Sequence, residues 1–175
     1  SVQSIRDVDT AERICRYKSG KYTIERPLHL GAVLAAPERE HELLPSLSAY
    51  GLPLGDAFQM RDDVMGAFGE ESLTGKSVGG DLREGKPTPL LARAVRRATP
   101  DQLEVLSEVG APGLDGHGVA RSQQVSVDTG ALAELEDHIT ALSEAAVTAI
   151  EEAPIVAAAK TELVALAEDV SWRDV

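Results

Sequence analysis

The chain has 175 residues, with 17 Lys and Arg against 29 Asp and Glu, for a formal charge of −12. Hydrophobic residues are 43% and charged residues 26%, a globular composition that excludes wholesale disorder. The acidity argues against a nucleic-acid partner, because neutralising a phosphate backbone needs a basic surface; a small phosphorylated ligand needs only a few local Lys or Arg residues.

Aromatic residues are 3% and β-branched residues are scattered, so the period-2 signal of strands is weak and the chain is predicted to be all-α. Asp9 or Thr10 is expected to cap a first helix through Ile14 and Tyr17. Pro27 opens a second helix to about Ala35. A third pattern runs from Pro37 towards Phe68, with Pro45 and Pro53 predicting a break or kinks. From Gly69 to Pro89 glycines and prolines interrupt the pattern, and a loop this long is usually functional or disordered. Helices resume over Leu90–Ala98 and Asp101–Val109, the latter capped by Thr99 with Pro100 in its first turn. A turn over Ala111–Gly118 and a helix over Val119–Val127 follow. Asp128 or Thr129 is expected to cap an amphipathic helix marked by Leu132, Leu135, Ile139, Leu142, Ala146 and Ile150. A last helix spans about Ile155 to Val170.

Chemistry is concentrated in three places. In Phe58-Gln59-Met60-Arg61-Asp62-Asp63, helical spacing puts Phe58 and Asp62 one turn apart with Gln59 beside them, while Asp63 points about 100° away. An ionised Asp on a semi-buried face needs a cation or donors, although the pair by itself reads equally as an exposed acidic pair with no ligand. Downstream, Gly75-Lys76 and Gly85-Lys86 set lysines among glycines, which present backbone N–H groups and admit a phosphate closely. Either Gly-Lys pair alone reads as an ordinary turn, and neither has P-loop spacing. Upstream, Arg16, Lys18 and Lys21 cluster against the acidic trend, with Lys18 and Tyr22 one turn apart if the helix continues through Gly20; alone, this is a solvated helix face. Together the three segments suggest a carboxylate holding a hard cation and lysines holding the anion bridged to it, the manner in which Mg²⁺ binds diphosphates.

These residues resemble the trans-polyprenyl diphosphate synthases. Phe58-Gln59 with Asp62-Asp63 is similar to that family's second aspartate-rich motif, and Gly75-Lys76 through Asp81-Leu82 and Gly85-Lys86-Pro87-Thr88 are similar to the segments that follow it. Lys18-Ser19, Tyr22 and Pro27-Leu28-His29-Leu30-Gly31-Ala32 resemble upstream family segments, in wording most similar to actinobacterial members. Two departures stand out. Gly66 occupies the last position of the motif, where the family often has Asp, and nothing before Lys18 matches the first aspartate-rich motif.

The resemblance implies the isoprenoid synthase helical bundle, with residues 1–175 forming the C-terminal half of a single synthase domain. It implies Mg²⁺-dependent condensation of an allylic diphosphate with isopentenyl diphosphate by the parent protein, this half alone being inactive. In that scheme Asp62 and Asp63 serve the metal, Asp62 directly. Lys18, Lys76 and Lys86 contact the allylic diphosphate, Ser19 and Gln59 are neutral donors near it, and Phe58 borders the isopentenyl site. Tyr22 lines the cation pocket; Lys18, Asp62 and Lys76 carry the catalysis. A homodimer is implied as well. The alternative is a non-catalytic subunit that keeps the fold.

One cysteine, Cys15, excludes an internal disulfide and fits a reducing compartment. No apolar run reaches the roughly 20 residues of a membrane span. The polar, mixed-charge start does not read as a signal peptide, and a soluble cytoplasmic protein is expected. With no initiator Met and a helical pattern within a few residues, the sequence reads as a piece of a longer chain.

Overall fold

The structure, a computed structural model, describes residues 7–69 and 79–171. Every regular element among the described residues is helical, as the weak strand signal predicts. Two compact units emerge: residues 7–12 with 62–137, and residues 13–61 with 138–171.

The chain opens with α1 (Val8–Cys15). Its cap is Asp7, whose carboxylate accepts from the Thr10 backbone N–H at 3.1 Å and from the Thr10 hydroxyl at 3.1 Å. The predicted caps Asp9 and Thr10 instead lie inside the helix, because a capping carboxylate must precede the N–H it accepts by two or three residues.

In the second unit a π-helical segment, Arg16–Glu25, carries the chain through Gly20 into α2 (Arg26–Ala35), with Pro27 in its first turn as predicted. Ala36 leaves helical geometry, and a 3₁₀ turn (Pro37–Arg39) leads into α3 (Glu40–Phe68). Of the break or kinks predicted at Pro45 and Pro53, the break does not occur: both prolines lie inside one helix. Each proline costs about 3 kcal/mol in a helix interior. Opposing that, Leu43, Leu47, Tyr50, Leu54 and Ala57 recur at spacings of four and three and are all buried, a stripe whose burial holds the helix straight through. The Tyr50 hydroxyl donates to the Leu163 carbonyl at 2.7 Å, which joins α3 to the last helix.

In the first unit the predicted Gly69–Pro89 loop contains a short helix, α4 (Gly80–Glu84); residues 70–78 lie outside the described residues. Then come α5 (Pro89–Arg97), α6 (Pro100–Ser107) and α7 (Gly116–Asp128). Thr99 and Gln102 form a full capping box at α6, and Asp115 caps α7 through the Gly118 N–H at 2.8 Å. That cap starts α7 three residues earlier than the expected Val119. Buried Arg93 donates to Glu12 at 2.6 Å, and Glu134 collects Arg96 at 2.8 Å and Arg97 at 2.7 Å.

The next helix, α8 (Ala131–Glu152), is not capped by Asp128 or Thr129 as expected. Asp128 ends α7, and the Thr129 hydroxyl donates back to Val125 O at 2.8 Å. Gly130, at φ 70°, makes the turn between them. Along α8, Leu135, Ile139, Ala146 and Ile150 are fully buried, as the stripe predicts. A final helix, α9 (Ala157–Ser171), follows. No described helix is long and apolar enough to cross a membrane.

Candidate functional site

The predicted residues fall into two groups, one in each unit. In the second unit the π segment lies directly against α3. A Cβ placed on Gly55 would come within 2.3 Å of the Gly20 Cα, so backbone meets backbone there and position 55 has no room for a side chain, while a Cβ on Gly20 would meet the Asp56 carboxylate at 2.9 Å. This contact sets the register between the two elements. It buries Ser19, whose hydroxyl donates to the Gln59 side-chain oxygen at 2.5 Å, and it aligns Arg16 with buried Asp56, the Arg16 Nε lying 2.9 Å from the carboxylate. Of the three cations that read as one anion-binding cluster, Arg16 is therefore engaged by Asp56, and Lys21 stands 5.1 Å over the Tyr17 ring. Lys18 and Tyr22 are exposed, Gln59 is buried and Phe58 is half-buried. The Arg16–Asp56 pair was not legible beforehand, because 40 residues separate its members.

In the first unit, the last two turns of α3 carry Asp62, half-buried, and Asp63, buried. One turn beyond Asp62 is Gly66. A Cβ there would lie 2.2 Å from Asp81 Oδ2, so the Asp81 carboxylate fills the space a side chain at position 66 would need. Asp81 is buried on α4, and its Oδ1 accepts from the Lys86 ammonium; Glu84 Oε2 lies 3.4 Å from the same nitrogen. The hydrogen bond that Lys86 donates to Asp81 raises the Lys86 pKa above its ordinary value.

The turn that presents Lys86 is held by backbone. Gly85 ends α4 at φ 66°, its N–H bonds Leu82 O at 3.2 Å, and the Lys86 N–H bonds Asp81 O at 3.0 Å. Gly110 packs on Gly85 and its N–H reaches Leu82 O at 3.0 Å. Thr88 then caps α5 through the Leu91 N–H at 3.3 Å. Lys76 lies outside the described residues.

Asp62 and Asp63 offer hard oxygen donors. Among the described residues no three His, Cys, Asp or Glu side chains are grouped to hold a metal. Two carboxylates are nonetheless sufficient for a cation that keeps much of its water and takes its remaining oxygens from a substrate, so the donor chemistry fits Mg²⁺ rather than a dedicated protein cage. In the second unit, a groove of about 490 Å³ lined by Thr140, Ser143, Val147 and Thr148 among others includes none of the predicted residues.

Residues 2–118 match the family model for polyprenyl synthetase. The chain is 36% identical to geranylfarnesyl diphosphate synthase of Aeropyrum pernix over 142 residues, covering 80% of this chain and 43% of that protein. It is 30% identical to farnesyl diphosphate synthase of Escherichia coli over 132 residues, 75% of this chain and 42% of that one. Among solved structures, geranylgeranyl pyrophosphate synthase of Corynebacterium glutamicum, complexed with isoprenyl diphosphate and magnesium, superposes with a TM-score of 0.89 at 35% identity. That superposition covers 97% of this chain and 48% of the other. The chain thus spans about half the length of the relatives it matches.

Proposed function

The chain belongs to the polyprenyl synthetase family, and from that premise we propose that it is the C-terminal half of a synthase that joins an allylic diphosphate to isopentenyl diphosphate, giving a longer trans-polyprenyl diphosphate. What supports this most is that, within the matched residues, one compact unit carries both the Asp62–Asp63 pair and the Gly85–Lys86 turn.

In this reading Asp62 ligates Mg²⁺ and buried Asp63 supports it. The ion, when bound, supplies Lewis-acid neutralisation of the diphosphate. Lys18, Lys76 and Lys86 bind the diphosphate oxygens of the allylic substrate. As its C–O bond breaks, negative charge grows on the departing diphosphate, and the ammonium groups bound to it stabilise that charge more than they stabilise the intact substrate. The Ser19 hydroxyl donates its one proton to the Gln59 side-chain oxygen and so orients the Gln59 amide, whose N–H is the neutral donor near the diphosphate. Phe58 borders the isopentenyl group, and Tyr22 offers its ring face to the allylic cation. The isopentenyl double bond attacks that cation, a carbon–carbon bond forms and a proton is lost.

Condensation of the two diphosphates by the full-length protein that contains this chain is the test. Asp62→Ala is expected to lower turnover at least a hundredfold, and the 175-residue chain alone is expected to show none. A variant within a few-fold of the parent would remove Asp62 from the metal role. A full-length protein that binds an active synthase but forms no product itself would establish the non-catalytic alternative.

A further inference from the structure

The Gly66 position on α3 has no side chain, and its space is taken by a carboxylate from α4. The Asp81 side chain that carries it is 5% exposed, whereas the Lys86 side chain it grips is 40% exposed. A pair made only to stabilise the fold has no need of this asymmetry. Here a buried acceptor holds a partner that still faces solvent. An ammonium has three protons; one is used by Asp81, a second faces Glu84 Oε2 at 3.4 Å, and the third remains for an incoming acceptor. A lysine free on the surface loses rotamer freedom when it binds an anion, and one already held loses less. Glu84, which also approaches the ammonium, is 66% exposed and has no comparable anchor.

We propose that Asp81 is a positioning residue for Lys86: seated in the notch at Gly66, it fixes the ammonium towards a diphosphate. This rests on the diphosphate reading above. It also gives Gly66 a role, since any side chain at 66 would expel the carboxylate that orients the lysine. The opposing possibility is that Asp81 simply cancels the charge of Lys86 and weakens its attraction for anions. The two differ in the sign of the effect when the carboxylate is removed.

The experiment uses the full-length protein that contains this chain, inorganic pyrophosphate and excess Mg²⁺, with calorimetric affinities for the unsubstituted chain, Asp81→Asn, Gly66→Ala, Lys86→Met and Asp81→Asn/Lys86→Met. The ¹H–¹⁵N signal of the Lys86 ammonium, visible when its protons are held, is recorded for each chain that keeps the lysine. Asp81→Asn and Gly66→Ala are each expected to raise the pyrophosphate Kd about tenfold and to erase the ammonium signal. Asp81→Asn is expected to add nothing once Lys86 is Met. Gly66→Ala keeps both charges, so it tests the geometry by itself if Asp81→Asn does not fold. Affinity unchanged or tightened in both variants, beside normal binding by the unsubstituted chain, overturns the positioning role and leaves the diphosphate reading standing. No pyrophosphate binding by the unsubstituted chain overturns the diphosphate reading, and the inference with it.

Discussion

Two glycine contacts on the same long helix do different work. At Gly55 the neighbour is the Gly20 backbone, an approach of one main chain to another that leaves no polar atom to adjust. At Gly66 the neighbour is a side-chain carboxylate that carries a lysine. The first contact fixes how two helical elements pack. The second fixes where one charged group points. A missing Cβ therefore stabilises structure in one place and orients chemistry in the other, and substitutions at the two sites are expected to separate these roles.

The largest effect is expected from Gly55→Ala. Main chain cannot rotate aside, so the second unit loses about 3 kcal/mol, measured by urea denaturation of the 175-residue chain. A loss below about 1 kcal/mol would mean that the two backbones separate easily. Gly66→Ala comes next, at about 1–2 kcal/mol, because the Asp81 side chain can swing away; a loss equal to that of Gly55→Ala would erase the distinction between the contacts.

Tyr50→Phe serves as a control inside the second unit, away from both glycines. It removes the hydrogen bond to Leu163 O and is expected to cost about 1 kcal/mol. Burial raises the Tyr50 phenol above its ordinary pKa. Its contribution to stability is therefore complete below the unfolded value of about 10 and is lost as pH climbs towards the higher folded value. Denaturation at pH 9 and pH 11 should show the parent losing more stability between them than the Phe variant does. The smallest change is expected when Asp81→Asn and Lys86→Met are combined, because no buried carboxylate is then left without its ammonium: within about 0.5 kcal/mol of the parent in stability, yet with weakened pyrophosphate binding. A stability loss as large as that of Gly66→Ala would make the pair a structural one.

Much of this architecture was legible residue by residue. Pro27, Thr99 with Gln102, and the apolar spacing of α8 marked helices where helices form, because caps and periodicity act within a few residues. The misreadings share one cause. Pro45 and Pro53 argued for a broken α3, but the cost of a proline is local and the buried stripe from Leu43 to Ala57 opposes it over four turns. Asp128 and Thr129 have the composition of an N-cap, yet Gly130 at φ 70° makes Thr129 the end of the preceding helix. At the candidate site, Asp62, Asp63 and Lys86 stood out by residue type and spacing. Arg16 stood out as a cation against the acidic trend, and its partner Asp56, 40 positions away, was not readable from local spacing.

The sequence by itself determined the helical class, the family and the residues that bear charge near a diphosphate motif, because these depend on local pattern and residue chemistry. Tertiary structure alone decided that Gly20 meets Gly55, that Asp81 fills the place of a side chain at 66, and that Lys86 is held while Arg16 is engaged elsewhere. Apart from Asp81 and Lys86, five positions apart, these contacts join residues 15 to 40 positions apart, and a spacing along the chain does not say which of many possible neighbours excluded volume will admit.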